Sequence, residues 1–279
     1  MSVLHAGSHR LSLARPLIMG IVNVTPDSFS DGGRLANAKA AIQHALKLKE
    51  EGAAILDVGG ESTRPGADAV SVEEEMGRVL PVIKALVEQG CVVSVDTKKP
   101  EVMRAALDAG ATMVNDVMAL RAPGALEALV SSDAAVCLMH MQGEPQGMQQ
   151  APRYANVVDE VKQFLQGRVQ ACEAAGITRE RLVIDPGFGF GKTLAHNLAL
   201  LNHLAELVDL NVPVLVGLSR KTMLGLLTGR DVHTREFASV AAQLAAISRG
   251  ARLIRVHNVS AMRDALAIWN AVEEQQNGT

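Results

Sequence analysis

Polar side chains with donor, acceptor or charged groups lie at or shortly after the ends of short apolar runs at eight places along the chain. Such a run is typical of a buried strand, and the polar residue after it marks the end of that strand. The series consists of Asn23, Asp57, Asp96, Asn115, His140, Asp185, the segment Ser219–Thr222, and Arg255 with His257. A helix cap requires only one Ser, Thr, Asp or Asn. A polar residue after every run therefore indicates a binding site to which several strands contribute.

Four members of this series suit a flat heterocycle whose edge presents both donors and acceptors. They are Asp96, Asn115, Asp185 and Lys221. A carboxylate can accept two parallel N–H bonds from a 2-aminopyrimidinone edge, and an amide can both donate and accept. Each of the four could instead be a buried polar group with a partner inside the protein, and a barrel mouth can also hold a structural Asp–Lys pair.

A second group, made of Asn23, Arg64, Arg255 and His257, suits a polyanion. Arg255 and His257 are two residues apart, so on a strand they point to the same side. Asn23 offers a neutral oxygen ligand for Mg2+ bridged to phosphates. His257 could instead be a capping or core histidine, and His140, with apolar neighbours, is expected to be structural.

The stretch Leu182–Thr193 is similar to a phosphate-binding P-loop, but the motif fails at one position. The first glycine of G-x-x-x-x-G-K-[ST] falls on Pro186. Proline has no backbone N–H to offer a phosphate. We therefore interpret the stretch as a strand that delivers Asp185 to a site, followed by a wall of Gly and Phe. A helix cap or turn is the alternative role for Asp185.

Apolar runs and amphipathic segments alternate along the whole chain. The eight runs are Leu17–Val22, Ala54–Val58, Cys91–Val95, Ala111–Val114, Ala135–Met139, Leu182–Ile184, Val212–Val216 and Arg252–Val256. The predicted helices are Ala38–Glu51, Val72–Glu88, Pro100–Ala109, Pro123–Val130, Val157–Ala175, Asn197–Leu207, Phe237–Ser248 and Ala261–Val272. Buried strands that alternate with helices predict a parallel sheet. Eight such units predict an α/β fold, a (β/α)8 TIM barrel, in a single domain over residues 1–279.

A doubly wound sheet is the alternative architecture, but no G-x-G-x-x-G motif follows the first run. In a barrel, catalytic side chains gather at the carboxyl ends of the strands, where the polar series lies. Two polar loops at that end, Thr25–Arg34 and Gly59–Ala69, are expected to be mobile and to become ordered with a ligand. We interpret Met141–Ala155 as a long surface loop.

The composition excludes several classes of protein. A net charge of −3 gives no broad basic field for nucleic acid or for an anionic membrane. Aromatic residues make up only 3% of the chain, which disfavours base stacking. Apolar runs are too short for a membrane span or a secretory signal. The cysteines Cys91, Cys137 and Cys172 lie far apart, so we expect a soluble cytoplasmic protein without disulfides.

Two long segments resemble the signatures of the dihydropteroate synthase family. They are Met19–Gly33, which reads MGIVNVTPDSFSDGG, and Ile55–Gly66, which reads ILDVGGESTRPG. The resemblance continues through residues 94–97, 115–116, 137–141, 185–192, 217–221 and 255–257, and so covers essentially the whole chain. Related pterin-binding methyltransferases share the barrel but do not carry the two loop signatures in this form.

The resemblance implies a transferase in which 4-aminobenzoate attacks the methylene carbon of 6-hydroxymethyl-7,8-dihydropterin diphosphate. The products are 7,8-dihydropteroate and diphosphate. The implied pterin ligands are Asp96, Asn115, Asp185 and Lys221, with Met139 and Gly217. The implied diphosphate ligands are Asn23, Arg255 and His257, of which Asn23 also binds the Mg2+ cofactor, and these three with Lys221 are the implied catalytic residues. The implied aminobenzoate site contains Thr63, Arg64, Pro65, Phe190, Ser219 and Thr222.

The chain departs from the usual family pattern at Lys98, Ala238 and Asn258, none of which carries an implied role. We expect Lys98, close to Asp96, to adjust the charge of the pterin pocket. The alternative function is a pterin-binding methyl carrier or corrinoid partner on the same barrel, which would not need a diphosphate site. The resemblance also implies a homodimer formed through helices of the later units, whose partners are small-molecule substrates.

Overall fold

A closed ring of eight parallel strands forms the centre of the molecule, as predicted. The computed structural model describes residues 3–25, 33–62, 69–143, 147–149 and 151–276. An N-terminal hairpin consists of β1 (Val3–Ala6) and β2 (His9–Ser12). The barrel strands are β3 (Leu17–Asn23), β4 (Ile55–Gly59), β5 (Val93–Asp96), β6 (Met113–Asp116), β7 (Ala135–Met139), β8 (Leu182–Asp185), β9 (Leu215–Val216) and β10 (Leu253–Val256).

The order of neighbouring strands follows the chain from β3 to β8, and β10 lies between β3 and β9. A parallel bridge between Ile184 and Val214, with an Ile184 N–H bond of 3.0 Å to the Pro213 carbonyl, joins β8 to β9 and closes the ring. All eight carboxyl ends therefore point to one mouth, because the strands are parallel. The (β/α)8 barrel predicted from the alternation of strands and helices is confirmed.

The helices surround the barrel and cover the outer faces of its strands. They are α1 (Gly33–Glu51), α2 (Val72–Glu88), α3 (Pro100–Asp108), α4 (Ala125–Val130), α5 (Val157–Ala174), α6 (Leu194–Asn202), α7 (Ala205–Val208), α8 (Thr222–Thr228), α9 (Glu236–Ile247) and α10 (Val259–Gln276). Among the helices of the described residues, none has the length and apolar content of a membrane span.

One of the helix predictions needs correction, and one helix was not on the predicted list. The single helix predicted over Asn197–Leu207 is two helices, α6 and α7, because the chain leaves helical geometry after Asn202. The first of them begins earlier than predicted, since the Thr193 hydroxyl accepts the His196 N–H and the His196 ring accepts the Thr193 N–H. This is a capping box with His in the place of Glu or Gln. Helix α8, which begins directly after Lys221, is not among the eight helices predicted from the sequence pattern.

The N-terminal hairpin, which the sequence analysis did not predict, covers the amino end of the barrel. Its residues Leu4 and Ala6 are fully buried. They belong to a cluster with inward-facing residues of the barrel strands, namely Met19, Ile55, Met113, Ala135, Cys137, Val183, Leu215 and Leu253. The hairpin therefore closes the end opposite the mouth with apolar side chains.

Candidate active site at the barrel mouth

The first part of the mouth is a charged network that crosses the barrel from β10. The Arg255 guanidinium donates from Nε to Asp57 Oδ2 at 2.6 Å and from Nη2 to Asp96 Oδ2 at 2.7 Å. The Asn115 amide donates to the same oxygen of Asp57 at 3.0 Å. Strands β4, β5, β6 and β10 each place one polar side chain in this network, so four strand ends form one site.

Burial and charge compete within this network. Burial raises the pKa of Asp96 to about 7 although Arg255 lowers it, and the neighbouring Asp57 adds to the rise. Burial works against the charge of Arg255, but Asp57 and Asp96 together raise the pKa of its guanidinium. Arg255 therefore stays charged, and the proton that this cluster can gain goes to a carboxylate.

The second part of the mouth lies around Asp185 at the end of β8. Its Oδ1 accepts the backbone N–H of Gly187 at 2.7 Å. Burial raises the pKa of Asp185, whereas the Gly187 N–H and the nearby Lys221 lower it. Burial also lowers the pKa of Lys221 to about 8, although Asp185 favours its charged form. The Lys221 ammonium lies 4.1 Å from the centre of the Phe190 ring, within the range of a cation–π contact.

Residues 186–192, which we call the wall loop, follow Asp185. Gly187, Gly189 and Gly191 all have positive φ angles. A Cβ on Gly187 would lie 1.9 Å from the His140 carbonyl oxygen, and one on Gly191 would lie 2.4 Å from that of Gln142. Glycine is required here by both backbone conformation and space. The ammonium of Lys192 is buried against backbone carbonyls of this loop, unlike the lysine of a P-loop.

The third part of the mouth joins β9 to β10. The His257 Nδ1 lies 2.9 Å from the Ser219 hydroxyl, which also accepts the His257 N–H at 3.3 Å. Gly217 and Ser219 are half-buried, and Thr222, the first residue of α8, is exposed. The proposed diphosphate ligand His257 and the proposed aminobenzoate ligand Ser219 are therefore in contact.

The remaining predicted site residues lie around these clusters or outside the described residues. Asn23 is the half-buried last residue of β3 and pairs in register with Gly59. Met139 pairs in register with Asp185 and is buried in a small apolar cluster against which Phe190 packs. Thr63, Arg64 and Pro65 lie outside the described residues.

The departures from the family pattern have local explanations. The ammonium of Lys98 pairs with Glu61 Oε1 at 3.0 Å, so its contact is with the stem of the second loop. The Asn258 Oδ1 accepts the Ala261 N–H at 3.0 Å, in the first turn of α10. Ala238 lies half-buried in α9.

Two residues of the mouth were assigned to no ligand in the sequence analysis. They are Asp57, which appeared only in the polar series, and Lys192. Asp57 is 0% exposed and accepts hydrogen bonds from both Arg255 and Asn115. The available signal was an acid inside an otherwise apolar run, because a carboxylate buried on both faces needs a donor. The signal for Lys192 was a charged residue directly after a glycine-rich loop.

The fold and the mouth together define a class of protein, a (β/α)8 barrel enzyme with a polar site that carries buried charges. Residues 19–257 match the family described as pterin binding enzyme. This match spans most of the chain and includes every strand of the barrel except the first two residues of β3.

Individual relatives narrow this class. The dihydropteroate synthase of Neisseria meningitidis serogroup C is 51% identical over 275 residues, covering 97% of each chain. A solved structure of Xanthomonas albilineans dihydropteroate synthase with 4-aminobenzoic acid has a TM-score of 0.92 and 57% identity, and covers 98% of each chain. The Burkholderia cenocepacia enzyme complexed with 7,8-dihydropteroate has a TM-score of 0.91 and 44% identity, and covers 100% of this chain and 99% of that one. The chain belongs to the dihydropteroate synthases, transferases within the pterin-binding family.

Proposed function

We propose that the three clusters at the barrel mouth form the catalytic site for the condensation of 6-hydroxymethyl-7,8-dihydropterin diphosphate with 4-aminobenzoate. The observation that carries this proposal is the contact network of Arg255 with Asp57 and Asp96. It brings an anion-binding cation and a heterocycle-binding carboxylate together. A site for a pterin linked to a diphosphate needs both groups at bonding distance from one ligand.

The pterin ring is assigned to Asp96, Asn115, Asp185 and Lys221, with Met139 and Gly217 beside it. One oxygen of Asp185 is engaged by the Gly187 N–H, and the carboxylate retains further acceptor capacity for the amino edge of the ring. The Lys221 ammonium lies close enough to Asp185 to affect its pKa. It can donate to a ring oxygen or nitrogen on the same side.

The diphosphate is assigned to Asn23, Arg255 and His257. Two of the five N–H groups of Arg255 bond to carboxylates, which leaves donors for phosphate oxygens. In the transition state these groups stabilise the charge that develops on the leaving diphosphate.

Mg2+ fits this assignment through Asn23. Among the described residues, no group of three or more His, Cys, Asp and Glu could hold a metal by itself. Mg2+ bound to substrate phosphates takes only one or two protein oxygens, and the Asn23 amide at the end of β3 supplies one. When bound, the ion would neutralise charge on the phosphates.

The aminobenzoate is assigned to Phe190, Ser219 and Thr222, together with Thr63, Arg64 and Pro65. Its own amine is the nucleophile, so the protein supplies positioning and no covalent intermediate. The contact of Ser219 with His257 supports this arrangement, because the attacking amine and the departing oxygen flank the same carbon.

The release of diphosphate tests the proposed reaction. The full chain is mixed with Mg2+ and both substrates, and diphosphate and dihydropteroate are measured together. Equal amounts of the two products are expected, with none formed when aminobenzoate is omitted. A chain that releases no diphosphate but binds pterin would instead favour the methyl-carrier alternative.

A homodimer in the cytoplasm is also part of the proposal. The later units carry large exposed apolar side chains, namely Leu226 (65% exposed) and Leu227 (53%) on α8, Phe237 (88%) on α9, and Ile268 (71%) and Val272 (55%) on α10. Helix α9 packs against both α8 and α10, and exposed apolar groups on neighbouring elements are typical of an interface. The three cysteines, buried and free, suit a reducing compartment.

A further inference from the structure

Lys192, at the end of the wall loop, is a buried cation that the proposed reaction leaves without a role. The residue is 3% exposed. Its ammonium lies 2.9 Å from the Gly187 carbonyl oxygen, 3.0 Å from that of Phe190 and 3.4 Å from that of His140. It also lies 2.9 Å from Nδ1 of His140. An ammonium has three donors and no acceptor, so each donor of Lys192 has a partner among these four acceptors.

A charged Lys192 has no lone pair with which to accept a hydrogen bond, so the Nδ1 of His140 that faces it carries no proton, and the neutral imidazole has its proton on Nε2. Burial, followed by the charge of Lys192, lowers the pKa of His140 to about 3. Burial also lowers the pKa of Lys192 itself to about 7, Asp185 raises it and Lys221 lowers it. Three backbone carbonyls around one amine favour the charged form, because each of them needs a donor.

The carbonyls that Lys192 holds belong to the residues that shape the proposed site. Gly187 donates its N–H to Asp185, and its carbonyl accepts both the Phe190 N–H at 3.1 Å and the ammonium of Lys192. Phe190 in turn places its ring 4.1 Å from the Lys221 ammonium. Lys192 is thus bonded to the backbone on either side of the loop segment that carries the Phe190 ring.

Lys192 also acts on Asp185 through its charge. The cations that face Asp185 are Lys221 at the start of α8, Lys192 in the wall loop and Arg255 on β10, and all three lower its pKa. Asp185 also acts on Cys137 of β7, whose pKa burial holds far above neutrality. Without Lys192, one of three charges that keep Asp185 ionised would be lost.

We infer that Lys192 is a positioning residue for the transfer reaction, fixing the wall loop beneath Phe190 and supporting the ionised carboxylate of Asp185. The inference rests on the proposed function of the mouth. It assigns Lys192 two separable contributions, hydrogen bonds to the loop and a positive charge beside the pterin carboxylate.

Two substitutions in the full chain separate these contributions. Lys192→Met removes both the donors and the charge, whereas Lys192→Gln retains an N–H2 donor without the charge. Lys47→Met is the matched control, because that lysine side chain is 69% exposed on α1. Binding of a free pterin is measured as a function of pH, and KM for aminobenzoate is measured with saturating pterin diphosphate. Folding of each variant is checked by thermal unfolding.

In both Lys192 variants, the acid limb of pterin binding, which is the fall in affinity as the pH decreases, is expected to move to higher pH by about 1 unit. The reason is that Asp185 loses a nearby opposite charge. Burial, then Arg255, Asp57 and other acids set the pKa of Asp96, and Lys192 is not among these causes, so this movement reports Asp185. The KM for aminobenzoate is expected to rise on the order of tenfold or more in Lys192→Met, because a misplaced Phe190 costs positioning. It should change less in Lys192→Gln.

An acid limb that stays at its wild-type pH in a folded Lys192 variant would overturn the charge contribution. A KM for aminobenzoate that equals the wild-type value in folded Lys192→Met would overturn the positioning contribution. If Lys192→Met does not fold, Lys192→Gln decides both points. Its acid limb decides the first, and its KM for aminobenzoate decides the second, because two amide N–H donors cannot replace the three of the ammonium and an unchanged KM would overturn the positioning contribution. Wild-type protein that releases no diphosphate contradicts the proposed function itself, which keeps the two failures apart.

Discussion

At the scale of single residues, Arg255 connects parts of the site that the sequence analysis had separated. The residues were sorted into a heterocycle group and a polyanion group, and Arg255 was placed in the second. Its guanidinium bonds directly to Asp96, a member of the first group. A substitution of Arg255 therefore changes both proposed subsites.

Arg255→Ala is expected to impair both the departure of diphosphate and the binding of pterin. The kcat should fall by about a hundredfold, as when one donor to a developing oxyanion is removed. Binding of free pterin should also weaken, because Asp96 and the fully buried Asp57 lose their cation. Isothermal titration with free pterin, alongside steady-state kinetics, checks both parts. Free pterin binding at wild-type strength would show that Arg255 serves the diphosphate alone.

Asp96 should make the ligand-free protein less stable as the pH rises. Its pKa of about 7 in the fold exceeds the value near 4 of an unfolded aspartate. Its contribution to stability is therefore complete below about pH 4 and is lost as the pH rises through about 7. Asp96→Asn should be more stable than wild type at about pH 8, and the difference should shrink toward about pH 4.

Urea unfolding of ligand-free protein at the two pH values measures this difference. The exposed Asp108 at the end of α3 provides the control substitution Asp108→Asn. A variant Asp96→Asn that is less stable than wild type at the higher pH would mean that the ion pair with Arg255 outweighs the cost of burying the carboxylate.

The part of the site that could be predicted follows from the rule that parallel strand ends meet. Asp96, Asn115 and Arg255 lie in one network because each is one of the last residues of its strand, at the same end of the barrel. The pairing itself was not predictable, since Asp57 becomes a shared partner only through the register of β4 with its neighbours. The contacts of Lys192 could not be predicted for a related reason. Its acceptors are backbone carbonyls, and these carry no sequence signal.

At the scale of elements, the wall loop is the most tightly constrained segment of the mouth. Gly187→Ala places a Cβ 1.9 Å from the His140 carbonyl oxygen at a φ of +69°. Gly90→Ala is a matched control, because Gly90 has a φ of +66° and nothing within 4 Å of a built Cβ. Both variants carry the left-handed strain of about 1 kcal/mol, and only Gly187→Ala adds a collision with backbone.

Gly187→Ala is expected to lose several times the stability that Gly90→Ala loses, on the order of 3 kcal/mol or more against about 1 kcal/mol. Its pterin affinity should fall as well, because the Gly187 N–H can no longer reach Asp185. Denaturant unfolding and pterin titration measure the two effects. Equal losses of stability in the two variants would mean that the loop yields to the added atom.

The strands were predictable to within a few residues, and the elements that were missed share a physical cause. Each barrel strand is an apolar run buried on both faces, such as β4 and β7, in which all five residues are buried. The hairpin strand β2 alternates half-buried and exposed residues, and β1 has only four residues. The packing of β1 and β2 depends on the amino end of the barrel that they cover, so their own sequences do not indicate it. Helix α8 is one of the shorter helices, and its residues Leu226 and Leu227 face outward.

At the scale of the whole molecule, the exposed apolar residues of α8, α9 and α10 predict self-association. The wild-type chain is expected to sediment as a dimer at micromolar concentration. Phe237→Ser removes the most exposed large apolar side chain of the set, at 88%, and should shift the protein toward monomer by about tenfold or more in dissociation constant. Val130→Ser on α4, where the side chain is 44% exposed, is the control and should leave the dimer intact.

Sedimentation velocity over a range of concentrations distinguishes the outcomes. A wild-type chain that stays monomeric throughout would contradict the dimer. A dimer that is equally strong in Phe237→Ser and in wild type would place the interface on another surface.

The hairpin that closes the amino end of the barrel has a consequence for the synthesis of the chain. Leu4 and Ala6 are translated before the barrel strands, yet the side chains that cover them include Leu215 and Leu253, which belong to the last two barrel strands to be made. Strand β3 likewise cannot pair with its neighbour β10 until β10 has been made. The hairpin is therefore translated before the barrel strands but is among the last parts of the barrel to be fully enclosed. A nascent chain that stalls before β10 leaves an apolar hairpin and an open sheet edge exposed to chaperones and to other chains.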